Sequence, residues 1–132
     1  MVTEDYVSFE TAKLLKEKGF DESTNCQYPV GGIHYGEVGE YNITDRSRNP
    51  ENYIPAPTLQ MAMKWLRKEH NLHCNSDYDI ILGWYSQITS LTETVEDHYT
   101  EMKHYHPEKV NGFSSPEEAC EEAIKYCLEN LI

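Results

Sequence analysis

Between Lys68 and Lys103 the chain has no lysine or arginine, while Asp77, Asp79, Glu93, Glu96, Asp97 and Glu101 all fall in that interval. Basic residues are scarce throughout: 11 against 23 acidic ones, a formal net charge of −12. The imbalance is concentrated in residues 69–132, which hold thirteen acids and three bases, whereas residues 1–68 are nearly balanced with ten and eight. A surface of this sign repels phosphate backbones, so direct nucleic-acid binding is not expected. Solubility is the simpler account of the acid. The sharper account is a surface that meets a basic partner or imitates a polyanion.

Other absences narrow the class further. No run of 18 apolar residues exists, so no membrane-spanning helix is expected. The opening MVTEDYVSFE lacks the charged-then-apolar order of a signal peptide, and a cytoplasmic protein without membrane contact is expected. The four cysteines, Cys26, Cys74, Cys120 and Cys127, form no C-x-x-C, and free thiols are the expectation. Cys120 and Cys127 are seven residues apart on an expected helix, roughly 10 Å and too far to bridge each other. G-x-S-x-G, H-E-x-x-H and the P-loop ending are all missing, so the sequence points to no catalytic residue and no cofactor.

What is present suits one small domain. At 132 residues the chain can bury about two-thirds of its unfolded surface. It is 39% hydrophobic and has 10 tyrosines, which is too aromatic for a disordered tail. A first helix is predicted over 8–18, with Ser8 as its cap, Phe9, Ala12, Leu14 and Leu15 as its apolar flank, and Gly19-Phe20 as a Schellman stop. A second is predicted from Pro57, placed at the first helical position, to a stop at Asn71, with Leu59, Ala62, Met63, Leu66 and His70 on one stripe. A third is predicted over 116–130, where Ser115 and Glu118 form a capping box. Its apolar face holds Cys120, Ala123, Ile124, Cys127, Leu128 and Leu131.

Strand signals lie between the helices. Residues 33–35 and 41–44 read as a hairpin. Ile80, Leu82, Trp84 and Ile88 alternate with Ile81, Gly83, Tyr85 and Gln87, which predicts a strand over 80–88, with a shorter one at 72–75. Val95, His98, Tyr99 and Met102 match a helical stripe, so a helix is expected over 92–104, with strand as the alternative because tyrosine and threonine also suit it. The expected fold is α+β, a small antiparallel sheet packed against three to four helices in a single domain.

The three helical segments, 7–20, 55–68 and 117–132, resemble a family of small proteins that recurs in gut anaerobes, their mobile elements and their phages. VSFETAKLLKEKGF, PAPTLQMAMKWLRK and EEACEEAIKYCLENLI carry the resemblance. It implies a mobile-element or phage setting but no activity. A helical frame with variable loops between the helices is consistent with a binding role.

Two kinds of site are weighed. His70-x-x-His73-Cys74, with His98, His104 and His106, offers donors that zinc accepts, but the spacing matches no standard metal motif, so no metal site is assigned. Cys74 beside His73 is no better as a nucleophile, since adjacent strand residues point to opposite faces. The aromatic residues of the middle, by contrast, combine an apolar ring with a polar tip, which suits interfaces and ligand pockets. The sequence therefore predicts a non-enzymatic binding or accessory protein. Its expected ligand-binding residues are Tyr35, Tyr41, Arg46, Arg48, Tyr53, Trp84 and Tyr85, engaging a protein or a small ligand, with the arginines suited to a nucleotide-type anion. The alternative is an acidic decoy that blocks a basic nucleic-acid-binding surface, led by Glu117, Glu118, Glu121 and Glu122. The wide apolar face of the last helix leaves room for a homo-oligomer.

Overall fold

Among the described residues, capping, chain reversal and strand alternation build three helices and six strands. In chain order these are α1 (Phe9–Glu17), β1 (Cys26–Pro29), β2 (Gly39–Glu40), β3 (Tyr53–Pro55), α2 (Leu59–His70), β4 (Leu72–Asp79), β5 (Gly83–Ser90), β6 (Thr100–Lys103) and α3 (Pro116–Tyr126). A π-helical turn, Cys127–Leu131, extends α3. The computed structural model describes residues 2, 4–29, 39–40, 53–81, 83–91, 100–103 and 112–132. The fold is α+β, as expected, with the strands shared between two three-stranded antiparallel sheets, β2-β1-β3 and β4-β5-β6. Two compact units, 1–61 and 62–132, each hold one sheet, and the division falls inside α2. Among the described residues no helix is long and apolar enough to cross a membrane.

In the first unit, the Ser8 hydroxyl accepts the Thr11 N–H at 3.3 Å, satisfying a donor that the first turn of α1 leaves without a helical partner. The helix ends as its sequence predicts. Gly19 takes a φ of +97°, its N–H reaches the Lys16 carbonyl at 3.1 Å, and the Phe20 N–H reaches the Leu15 carbonyl at 2.9 Å. This is the Schellman pairing, and Phe20 is buried as its apolar anchor. Thr11, Ala12 and Leu15 are buried while Lys13, Lys16 and Lys18 face water. α1 packs on β3, and Lys16 donates to the Tyr53 carbonyl at 3.3 Å. Tyr28, fully buried in the central strand, donates its hydroxyl to the Val7 carbonyl at 2.9 Å and meets the Phe9 ring edge-on at 5.6 Å. The segment before α1 is tied to the start of α2: Val7 N–H to the Pro57 carbonyl, and Leu59 N–H to the Asp5 carbonyl.

The start of α2 corrects the expectation for Pro57. Thr58 caps the helix, its hydroxyl accepting the Met61 N–H at 3.1 Å, so Pro57 precedes the cap instead of opening the helix. A hydroxyl at the cap satisfies a donor, which proline at the first position would only remove.

In the second unit, Ala62, Met63, Trp65 and Leu66 form the buried stripe of α2. Asn71 ends it with a φ of +55°, a left-handed conformation that asparagine tolerates better than most residues. The chain then runs directly into a hairpin of two eight-residue strands whose register runs from Leu72↔Ser90 to Asp79↔Gly83. Here the predicted strand over 80–88 needs correction. Ile80 and Ile81 belong to the turn, because the Asp79 carboxylate accepts the Ile81 N–H at 2.7 Å and Gly83, at a φ of +87°, restarts the strand. The short strand expected at 72–75 extends to Asp79.

The helix expected over 92–104 is corrected as well. Thr100–Lys103 is strand β6, paired antiparallel with β5 from Ser86↔Lys103 to Thr89↔Thr100. The open edge of β5 supplies partners for its backbone, which outweighs a helical stripe of only two turns. Residues 92–99 and 104, and the hairpin expected at 33–35 and 41–44, lie outside the described residues.

α3 starts with a shifted capping box. The Ser115 hydroxyl accepts the Glu118 N–H at 3.1 Å, but the Glu118 carboxylate returns to the N–H (3.3 Å) and hydroxyl of Ser114 instead of the N–H of Ser115.

Gly19 tests the first of these stops. A Cβ there would meet nothing within 4 Å, so the cost of Gly19→Ala is purely one of backbone conformation. Urea unfolding should show a loss of about 1–2 kcal/mol, with Gly19→Asn losing less.

Candidate functional site: the tip of the second-unit hairpin

Strand alternation places Leu72, Cys74, Ser76 and Tyr78 on one face of β4, and their cross-strand partners Ser90, Ile88, Ser86 and Trp84 on the same face of β5. α3 packs against both strands. The Cys120 thiol meets the Ser76 hydroxyl at 3.4 Å and the Cys127 sulfur meets that of Cys74 at 3.6 Å. The two contacts fix the direction of the helix: α3 runs antiparallel to β4, with its N-terminal end toward the hairpin turn. Ala119, Ala123, Ile124, Cys127 and Leu128 are fully buried. Ser86 is also fully buried, and its hydroxyl has no hydrogen-bond partner among the described residues.

Beyond Ser76 and Ser86 the same face continues as an aromatic pair. Tyr78 and Trp84 are cross-strand partners whose rings meet edge-on at 5.0 Å, a favourable geometry for their quadrupoles. Trp84 is half-buried, and its carbonyl accepts the N–H of the buried Phe113 at 3.0 Å. Toward the turn, burial stops. Tyr78 is 56% exposed, Ile80 89% and Ile81 87%. Scattered exposed apolar residues are ordinary, but here two isoleucines and a tyrosine adjoin a tryptophan at the end of one hairpin. Asp77 and Asp79 flank Tyr78, and their carboxylates accept the Tyr78 and Ile81 N–H groups, which shapes the turn.

The residues singled out from sequence fare unequally. Trp84 belongs to this tip. Tyr85, across from Asp77, lies on the opposite face of β5. Tyr53 is in β3 of the first unit, half-buried, with its carbonyl bonded to Lys16. Tyr35, Tyr41, Arg46 and Arg48 lie outside the described residues. Tyr28, another of the middle aromatics, is a core residue. Ile80 and Ile81 were missed because their alternation reads as strand. The signal for them was Asp79 and Gly83 bracketing three residues between two β-rich runs, the mark of a hairpin loop.

The histidines and cysteines separate in space. The His70 ring meets Trp65 at 4.8 Å at the end of α2, and His73 faces away from Cys74 on β4. Among the described residues no group of three or more histidine, cysteine or acidic side chains is placed to hold a metal ion. The hydrogen bond shared with Cys127, followed by burial, pushes the Cys74 thiol well above its ordinary range. Burial also raises Cys120, against the Ser76 hydrogen bond and with the help of the Glu117 charge. Thiols held in this way stay protonated and are poor nucleophiles at neutral pH.

These raised thiols destabilise the fold in alkali. Below the ordinary thiol value of about 8.5 both states hold the proton, whereas above it only the unfolded chain releases it. Stability should therefore fall as pH rises from that value toward the higher folded one. Urea midpoints across alkaline pH should show this slope, and Cys74→Ala should flatten it. No family model matches the chain, and neither does any curated protein or solved structure.

Proposed function

We propose that the chain is a non-enzymatic binding protein that inserts the β4–β5 hairpin tip into an apolar pocket of a protein partner. The carrying observation is the exposure of Ile80, Ile81 and Tyr78 beside Trp84, at the end of a hairpin whose other half is anchored under α3. Burying each isoleucine in a partner is worth about 1.5–3 kcal/mol. Tryptophan and tyrosine are the side chains that most often dominate such contacts. Anchoring matters because a tip held in place loses little conformational freedom on binding. Asp77 and Asp79, together with the net charge of −12, favour basic groups around that pocket. An accessory role of this kind suits the mobile-element setting that the resemblance implies, in the cytoplasm and without direct contact to nucleic acid or membrane.

Selection of a random-peptide display library on the purified protein tests the proposal. Selected peptides should combine aliphatic or aromatic residues with lysine or arginine, and should shift NMR resonances of residues 77–84. Ile80→Ser combined with Ile81→Ser should keep the melting temperature, since both side chains are exposed. The double variant should weaken the selected peptides by about tenfold or more. Peptides that bind wild type and double variant equally would refute the tip as the binding surface.

A further inference from the structure

The contact that anchors the base of the hairpin includes a pair of buried thiols beneath α3. Cys74 on β4 and Cys127 in the π-helical turn are both buried, with their sulfurs 3.6 Å apart although the residues are 53 positions apart in sequence. We propose that Cys74 and Cys127 are a redox modification site, which an oxidant of the peroxide class converts into a disulfide joining the helix to the sheet.

The geometry selects this pair. A disulfide needs its sulfurs at about 2.05 Å, so Cys74 and Cys127, at 3.6 Å, have to approach by about 1.5 Å. Cys120 is directed to the Ser76 hydroxyl instead, and lies about two helical turns away from Cys127. Cys26 belongs to the first unit.

The chemistry balances with peroxide as the named co-reactant. One thiol of the pair, after losing its proton, attacks a peroxide oxygen. The O–O bond breaks, a sulfenic acid forms, and the departing hydroxide takes up the proton to give water. The second sulfur then attacks the sulfenic sulfur. The S–S bond forms, the S–O bond breaks, and the hydroxyl leaves with the second thiol proton as another water. Each sulfur gives up one electron, and peroxide accepts both. Burial and the raised thiol of Cys74 make the reaction slow, so the pair responds to sustained oxidation and not to brief pulses. Once formed, the bond ties α3 to β4 at the base of the hairpin.

The test uses the whole folded chain. It is incubated with hydrogen peroxide, unfolded in the presence of iodoacetamide, digested and mapped by mass spectrometry. The expected product is a peptide pair joining Cys74 to Cys127, lighter by two hydrogen atoms and separated by dithiothreitol. Cys120→Ser should still form it, and the same oxidation in denaturant should give mixed linkages. The oxidised protein should melt higher by about 5 °C or more, reversibly on reduction. The proposal is overturned if Cys74 and Cys127 are both still alkylated after Cys120 has been fully oxidised. It is equally overturned if the folded protein gives the same mixed linkages as the unfolded chain. Mapping of the wild-type chain decides between these outcomes without relying on any variant.

Discussion

The second unit depends on the seating of α3 across the β4–β5 hairpin. Ala119 and Ala123 keep the helix face low, Ile124 and Leu128 fill the space around them, and Cys120 and Cys127 meet Ser76 and Cys74 on the sheet. A long hairpin on its own is marginal in water, and one apolar face packed on a helix is what makes it stable. The third strand, β6, covers the other edge of β5 and adds backbone hydrogen bonds. The contact also carries a cost, because Ser86 is buried with no partner for its hydroxyl among the described residues.

The same contact explains why the hairpin has two unlike halves. α3 begins at Pro116, and Cys120 and the following π-helical turn meet the sheet at Ser76 and Cys74, while the next rung toward the turn holds the half-buried Trp84 and the exposed Tyr78. There the face that is core lower down becomes Tyr78 and Trp84, and then the exposed isoleucines of the turn. Apolar groups left in water add nothing to the stability of the fold that bears them, and their grouping on an anchored tip is what the proposed recognition role uses. The thiol pair lies in the covered half, where low polarity and close approach determine its chemistry.

Much of the helical frame was legible in the sequence, because its signals are local. Ser8, Gly19-Phe20, Asn71 and Ser115 each act within one turn of themselves, and each ends or caps a helix where its chemistry directs. Legibility failed where a distant partner decides. Thr100–Lys103 is strand because β5 offers it an edge, and the Pro57 carbonyl is taken by the Val7 N–H while Thr58 caps α2. The tip was half legible. Trp84 stood out by type, whereas Ile80 and Ile81 were masked by an alternation that the Asp79 turn interrupts. Tyr28 shows the converse: a residue type suited to interfaces is buried in the core, where its hydroxyl donates to the Val7 carbonyl and its ring meets Phe9.

Amide hydrogen exchange of the whole chain tests the two-halved hairpin most directly. Protection should be greatest at Cys74, Ser86 and Ile88, beneath α3, and should fall to nearly that of an unfolded peptide at Ile80. Equal protection along the whole hairpin, or rapid exchange at Ser86 and Ile88, would contradict an anchored base carrying an open tip.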